Sequence, residues 1–196
     1  MSNIDQILEN NKTWAQSIIS KEPDFFQELA KGQSPKYLWI GCSDSRVPAS
    51  QVCGLRPGEM FIHRNIANLV QESDTSCQAV IQYAVSVLKV TDIVICGHSN
   101  CGGVQASISG GVTGPVADWI KPIETLFQDN SSKFSPLSDD DKTKLLIQMN
   151  VESQVKAISK TKPVQDAWSE GRKLSIHGLV YHLETGKFQK LGTTVD

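Results

Sequence analysis

Two short stretches of this chain gather the side chains that chemistry needs. Cys42-Ser-Asp44-Ser-Arg46 brings together a thiol, a carboxylate and a guanidinium, and His98-Ser-Asn-Cys101-Gly102-Gly103 brings an imidazole and a second thiol ahead of two glycines. Thiolate and imidazole are borderline-soft ligands suited to Zn2+. If the stretches meet, Cys42, His98 and Cys101 supply three ligands and leave the fourth tetrahedral position open, as catalytic rather than structural zinc requires. An Arg46 guanidinium within reach of Asp44 keeps that carboxylate ionised and fixes its direction. The carboxylate can then accept a proton bond from a metal-bound hydroxide, leaving an oxygen lone pair aimed at substrate. Released from Arg46, it could instead fill the fourth metal position and shut the site. Gly102 and Gly103 allow backbone N–H groups at a helix N-terminus to approach an anion closely. Each stretch alone is a weak signal, since Asp–Arg pairs often merely hold loops together.

The elements around the two stretches give the coincidence its weight. Residues 36–41 and 91–96 are short, nearly continuous apolar runs, the pattern of buried parallel strands, and each ends at one of the clusters. A weaker strand is expected at 60–63, after the Arg56-Pro-Gly58 turn. Residues 75–89 are expected to be helical, with Thr75 as N-cap and Gln78 completing a capping box. Further helices are expected at 102–110, opened by two glycines, from Ser138 to about residue 160, and at 163–171; residues 129–138 are expected to be a loop. A last strand is expected at 173–183, followed by a hairpin turn at 184–186. At the N-terminus, 3–20 has a broad apolar stripe (Ile4, Ile7, Leu8, Trp14, Ile18, Ile19), and a second short helix is expected at 24–30. Strands alternating with helices predict an α/β fold, a mainly parallel central β-sheet flanked by helices. Ligands of such sheets sit at the carboxyl ends of strands, where both clusters fall.

Composition narrows the function. The chain has 196 residues, which fits one domain over 1–196 with residues 1–35 as a helical arm. Nineteen Lys and Arg against 21 Asp and Glu leave a formal net charge of −2, so there is no basic field for nucleic acid. No run is long and apolar enough for a membrane span, and the first residues are not a signal peptide. Five cysteines, an odd number in a chain of this size, fit a reducing compartment with thiols free for metal or catalysis, hence a cytoplasmic address. Cys53, Cys77 and Cys96 are expected to be small buried residues.

Around these clusters the chain resembles the β-class carbonic anhydrases. The resemblance runs through Tyr37-Leu-Trp-Ile-Gly-Cys-Ser-Asp-Ser-Arg-Val-Pro48, Arg56-Pro-Gly-Glu59 and His63-Arg-Asn-Ile-Ala-Asn68, then Gln82-Tyr-Ala84, Ile95-Cys-Gly-His98, Asn150-Val151 and Ser175-Ile-His-Gly178. It implies reversible hydration of CO2 to bicarbonate and a proton on one zinc per chain, with Cys42, His98 and Cys101 as ligands and Asp44 with Arg46 as the activating pair. It implies a homodimer or tetramer, the N-terminal helix packing on a partner subunit. It implies further that Gln33, from across the dimer interface, hydrogen-bonds the substrate or bicarbonate beside an apolar lining of Phe61, Ile66 and Tyr83. Trp39, Arg64 and Tyr181 match a subgroup with a non-catalytic bicarbonate pocket, where bound bicarbonate favours the closed state with Asp44 on the metal. Two rival readings share the same zinc site: a hydrolase of CS2 or COS, and a non-enzymatic bicarbonate sensor. A zinc nucleoside deaminase is set aside, because no His-x-Glu is followed by the Pro-Cys-x-x-Cys motif that such enzymes need.

Overall fold

The computed structural model describes residues 2–195. It divides into two compact units, the residues up to Ser34 and those from Pro35 onward. The first unit is a helical hairpin of α1 (Asn3–Ile19) and α2 (Phe25–Ala30). Ser2 and Asp5 form a reciprocal capping box that starts α1, and Trp14 packs edge-on against Phe26 at 5.6 Å. No residue of either helix is buried.

The second unit is built on five strands: β1 (Tyr37–Cys42), β2 (Met60–Asn65), β3 (Asp92–His98), β4 (Ser175–His182) and β5 (Lys187–Val195). Their order is β2-β1-β3-β4-β5, parallel through β4, with β5 antiparallel. The mainly parallel α/β sheet expected from the alternation of elements is therefore present. The strand expected at 60–63 forms the edge, and β5 follows the 184–186 turn.

Between the strands run α3 (Ala49–Val52), α4 (Thr75–Gln82), α5 (Gly102–Ser109), α6 (Pro115–Asp129), α7 (Ser131–Phe134), α8 (Asp139–Ser159) and α9 (Lys162–Ser169). Three expectations need correction. Asp74, not Thr75, caps α4, because its carboxylate accepts from the amides of Ser76 and Cys77 while the Gln78 side chain turns away to the Gln71 carbonyl. That helix does not run evenly to residue 89; it widens into a π turn over Tyr83–Val87. The stretch taken as a loop holds α7, and before it lies α6, whose two prolines do not prevent it: Pro115 sits in the first turn, and Pro122 lies within a helix that buries Ile120 and Ile123.

The core lies between the sheet and α8. Leu38, Ile40, Ile93, Ile95, Ile176 and Val180 face one side of the sheet, and Leu146, Val151, Val155 and Ile158 come down onto it. The helix can approach because two strand positions lack side chains: a Cβ at Gly97 would meet Val151 at 2.8 Å, and one at Gly178 would meet it at 3.1 Å. A smaller apolar cluster on the other side gathers Trp39, Val47, Ala49, Val94 and Cys96.

Candidate metal centre

Sheet register delivers the two clusters to one place. β1 and β3 are parallel neighbours with Gly41 opposite Cys96, so Cys42 and His98 emerge together at the carboxyl edge, and Cys101 follows at the N-cap of α5. The Cys42 and Cys101 sulfurs are 4.0 Å apart, and each residue's ligand atom lies within 4.8 Å of the others. All three side chains are buried. For Zn–S bonds of about 2.3 Å, a tetrahedral ion needs its sulfurs about 3.8 Å apart, so the pair is already spaced for one.

His98 shows the same fit. Its Nδ1 lies 2.9 Å from the Ser99 carbonyl, which can only accept, so the Nδ1–H donates there and Nε2 is left with its lone pair. That Nε2 is buried without a hydrogen-bond partner. An orphaned buried acceptor is costly unless something else satisfies it, and a cation shared with two sulfurs would do so.

The sulfurs are polarised as a pair. The hydrogen bond from the Cys101 thiol, with the His98 imidazole close by and the amides of Asp44 and Ala67, overcomes burial and pulls Cys42 down to about 4. Cys101 is driven the other way, because it keeps the proton shared with Cys42 and is itself buried. Burial alone would lower His98, yet the Cys42 sulfur beside it, with the Ser99 carbonyl and the Asp44 charge, leaves it raised. Without metal, protons hold the thiolate where a cation would otherwise sit.

Beside the cluster stands a paired carboxylate. Arg46 donates to Asp44 through Nε at 2.9 Å and Nη2 at 2.7 Å, and its backbone amide adds a third bond at 2.9 Å. These bonds outweigh burial and hold the Asp44 carboxyl well below the usual range. Asp44 Oδ2 is 3.7 Å from His98 Nε2, on the rim of the cluster.

The remaining expected residues are distributed unevenly. Phe61 and Tyr83 stack with ring centroids 5.8 Å apart. Ile66 lies where a Cβ on Gly103 would meet its Cγ2 at 2.9 Å, next to the cluster, while Gly102 is open. Gly102 and Gly103 do begin a helix, but the Gly103 amide faces the Cys101 sulfur. Gln33 is exposed in the N-terminal unit. Trp39 and Tyr181 share an apolar cluster and both pack against Phe188, at 6.0 and 5.2 Å. Arg64 is spent elsewhere, donating from Nε to the Cys42 carbonyl at 2.9 Å and from Nη2 to the Asp44 carbonyl. Cys77 and Cys96 are buried as expected, and Cys53 is half-buried.

Two groups of supporting residues escaped the sequence reading. Ala67 and Asn68 both adopt left-handed backbone, φ 60 and 50°, which costs energy outside glycine. From α8, buried Asn150 donates to the Ala67 carbonyl at 3.0 Å, and Gln154 spans Asn150 and the Val70 amide. Their signal was available: polar residues four apart amid the apolar stripe of Leu146, Ile147, Val151 and Val155. The second group, Ser99, Asn100 and Glu184, left no such signal.

A second ligand-type cluster lies in the same unit. His63, Asp74 and Cys77 also have ligand atoms within 4.8 Å of one another. Here the groups are engaged: Asp74 caps α4, Asn65 Nδ2 lies 3.3 Å from His63 Nε2, and burial, with the Asp74 charge, pushes the Cys77 thiol up to about 12.

Strand ends carrying a thiol–imidazole–thiol cluster, beside a carboxylate locked ionised, define an α/β protein with a site suited to hold a cation. The family profile described as Carbonic anhydrase matches residues 37–188. The chain is 43% identical to a carbonic anhydrase of Emericella nidulans over 95% of its own length and 82% of that protein's. A tetrameric β-carbonic anhydrase of Sordaria macrospora superposes with a TM-score of 0.95 at 36% identity, over 98% of both chains. The β-carbonic anhydrase CafA of Aspergillus fumigatus gives 0.94 at 39% identity, over 97% of this chain and 91% of that one. The chain belongs to the β-class carbonic anhydrases and is an enzyme of that family, one that hydrates CO2.

Proposed function

We propose that this enzyme works as a zinc hydratase, with Cys42, His98 and Cys101 holding the ion and Asp44 with Arg46 directing the attack. The orphaned Nε2 of His98, facing two sulfurs 4.0 Å apart, carries the reading. Zinc bound there supplies Lewis acidity, bringing the pKa of a coordinated water to about 7 and so a nucleophile for CO2 at neutral pH. Asp44, held ionised by Arg46, accepts a hydrogen bond from solvent beside the cluster and leaves the oxygen's lone pair pointing outward. Arg46 carries no proton in this scheme; it prevents Asp44 from turning onto the ion. Phe61, Ile66 and Tyr83 give CO2 an apolar approach, and Gln33 of a second copy binds the product bicarbonate.

The assembly reading rests on α1. Ile4, Ile7, Leu8, Trp14 and Ile19 are 44–60% exposed, a stripe that packing on another subunit of a dimer or tetramer would cover. Among the described residues no helix is long and apolar enough to cross a membrane, and the five cysteines are free thiols, which supports a reducing, cytoplasmic setting.

Bicarbonate control follows from Arg64. Asp44 is bonded to Arg46, the pairing that an open site requires. Bicarbonate bound among Trp39, Arg64 and Tyr181 would draw Arg64 from the Cys42 and Asp44 carbonyls, release the 42–46 turn and let Asp44 close on the ion. The test is stopped-flow CO2 hydration against pH and bicarbonate, with zinc content measured and CS2 hydrolysis assayed in parallel. One zinc per chain and CO2 turnover support the hydratase. CS2 turnover without CO2 turnover, or a zinc-loaded protein inactive at alkaline pH, overturns it. A steep, cooperative rise with pH that bicarbonate depresses supports the pocket; a one-proton profile insensitive to bicarbonate removes it.

A further inference from the structure

The turn between His98 and Cys101 presents two carbonyls to the site. The Ser99 carbonyl accepts from His98 Nδ1 at 2.9 Å, and the Asn100 carbonyl accepts from Arg46 Nη2 at 3.3 Å. One therefore orients the imidazole and the other touches the guanidinium that holds Asp44. Asn100 has φ 55°, a left-handed conformation that asparagine tolerates and that support from outside fixes here.

That support comes from a single side chain more than 80 residues away, in the turn between β4 and β5. Glu184 Oε2 accepts from the Ser99 hydroxyl at 2.9 Å, and Oε1 accepts from Asn100 Nδ2 at 2.8 Å. The Ser99 oxygen in turn accepts from the Leu183 amide at 2.9 Å, and the Ser99 amide donates to the Tyr181 carbonyl at 2.9 Å, so the two turns are tied in both directions. Both carboxylate oxygens are committed to the two residues whose carbonyls face the site.

We propose that Glu184 is a positioning residue for the reaction, clamping the Ser99–Asn100 turn so that His98 presents Nε2 to the cluster and Arg46 keeps its hold on Asp44. Glu184 touches neither substrate nor the ligand atoms, and it is exposed, so its removal should leave the core intact. Outer partners of a metal-ligating histidine typically govern metal affinity or activity by about 10–100-fold. The inference rests on the zinc-hydratase reading for its catalytic consequence, though not for its effect on His98.

The experiment compares wild type, Glu184→Ala and Glu184→Gln as full-length protein. Three quantities are read: transfer of zinc to a chelator, kcat and KM for CO2, and the 15N shifts of the His98 ring in metal-free protein. Glu184→Ala is expected to lose zinc about tenfold faster and to lower kcat about tenfold with KM little changed. Its metal-free His98 should no longer hold a single Nδ1–H tautomer. Glu184→Gln keeps an acceptor for Asn100 and should recover most of each loss. Wild-type zinc retention, kcat and ring shifts in Glu184→Ala overturn the proposal. So do equal losses in both variants that follow a fall in melting temperature, since Glu184 would then merely hold the hairpin. If wild type binds no zinc, the hydratase reading fails while the ring shifts still decide the role of Glu184.

Discussion

The two ligand-type clusters of this protein have similar residues and opposite characters. Cys42, His98 and Cys101 converge with an imidazole nitrogen unpartnered and a thiol drawn down to about 4. His63, Asp74 and Cys77 converge as tightly, yet the carboxylate caps a helix, the imidazole meets an amide and the thiol is pushed up to about 12. Proximity of ligand types does not distinguish them. The difference is what each donor already does: the first cluster leaves hydrogen-bonding capacity unspent inside the protein, and the second has spent it on the fold.

Substitutions can break that contrast. The largest effect belongs to Cys42→Ser or Cys101→Ser, each of which should lose the metal and take CO2 hydration to background, read by metal analysis and stopped flow. Asp44→Asn should keep the metal and lower kcat/KM by about 10²–10⁴-fold, the usual worth of a positioned proton-accepting group. An Asp44→Asn variant as active as wild type would remove the pair from the mechanism. Cys77→Ala should keep one zinc per chain and wild-type turnover while unfolding about 1–2 kcal/mol more easily in urea. Loss of a second equivalent of zinc in that variant would make the two clusters alike. The smallest effect is Asp74→Ala, a lost helix cap worth about 1 kcal/mol with activity unchanged.

Alkylation sharpens the contrast without mutation. In metal-free protein the hydrogen bond from Cys101 draws the Cys42 thiol down to about 4, whereas burial raises Cys53, Cys77 and Cys96. Iodoacetamide at pH 6–7 should therefore label Cys42 first, and Cys77 and Cys96 only after unfolding; zinc should protect Cys42. Peptide mass mapping reads the order.

Much of the site was legible because its chemistry is local in sequence. Cys42 with Asp44 and Arg46, and His98 with Cys101, each sit within one turn, and the apolar runs before them marked neighbouring strands. What holds those turns was not legible. Glu184 is an ordinary hairpin residue until the fold brings it to Ser99, and nothing in Ile66-Ala-Asn68 announces left-handed backbone, because Asn150 and Gln154 of α8 impose it from far along the chain. The fold showed the same limit. The 129–138 stretch reads as a loop from its polarity, yet α7 forms there and buries Phe134, and Asp74 displaced Thr75 as cap because its carboxylate reaches two amides.

The glycines beneath α8 carry a consequence for the distant site. With no side chain at positions 97 and 178, the helix settles deep enough for Asn150 to grip the Ala67 carbonyl, and the Ala67 amide faces the Cys42 sulfur. A methyl group added under the helix would lift it like a shim under a lever, and the sulfur at the far end would feel the displacement. The depth at which one helix rests on the sheet is in this way part of how the enzyme tunes its thiolate.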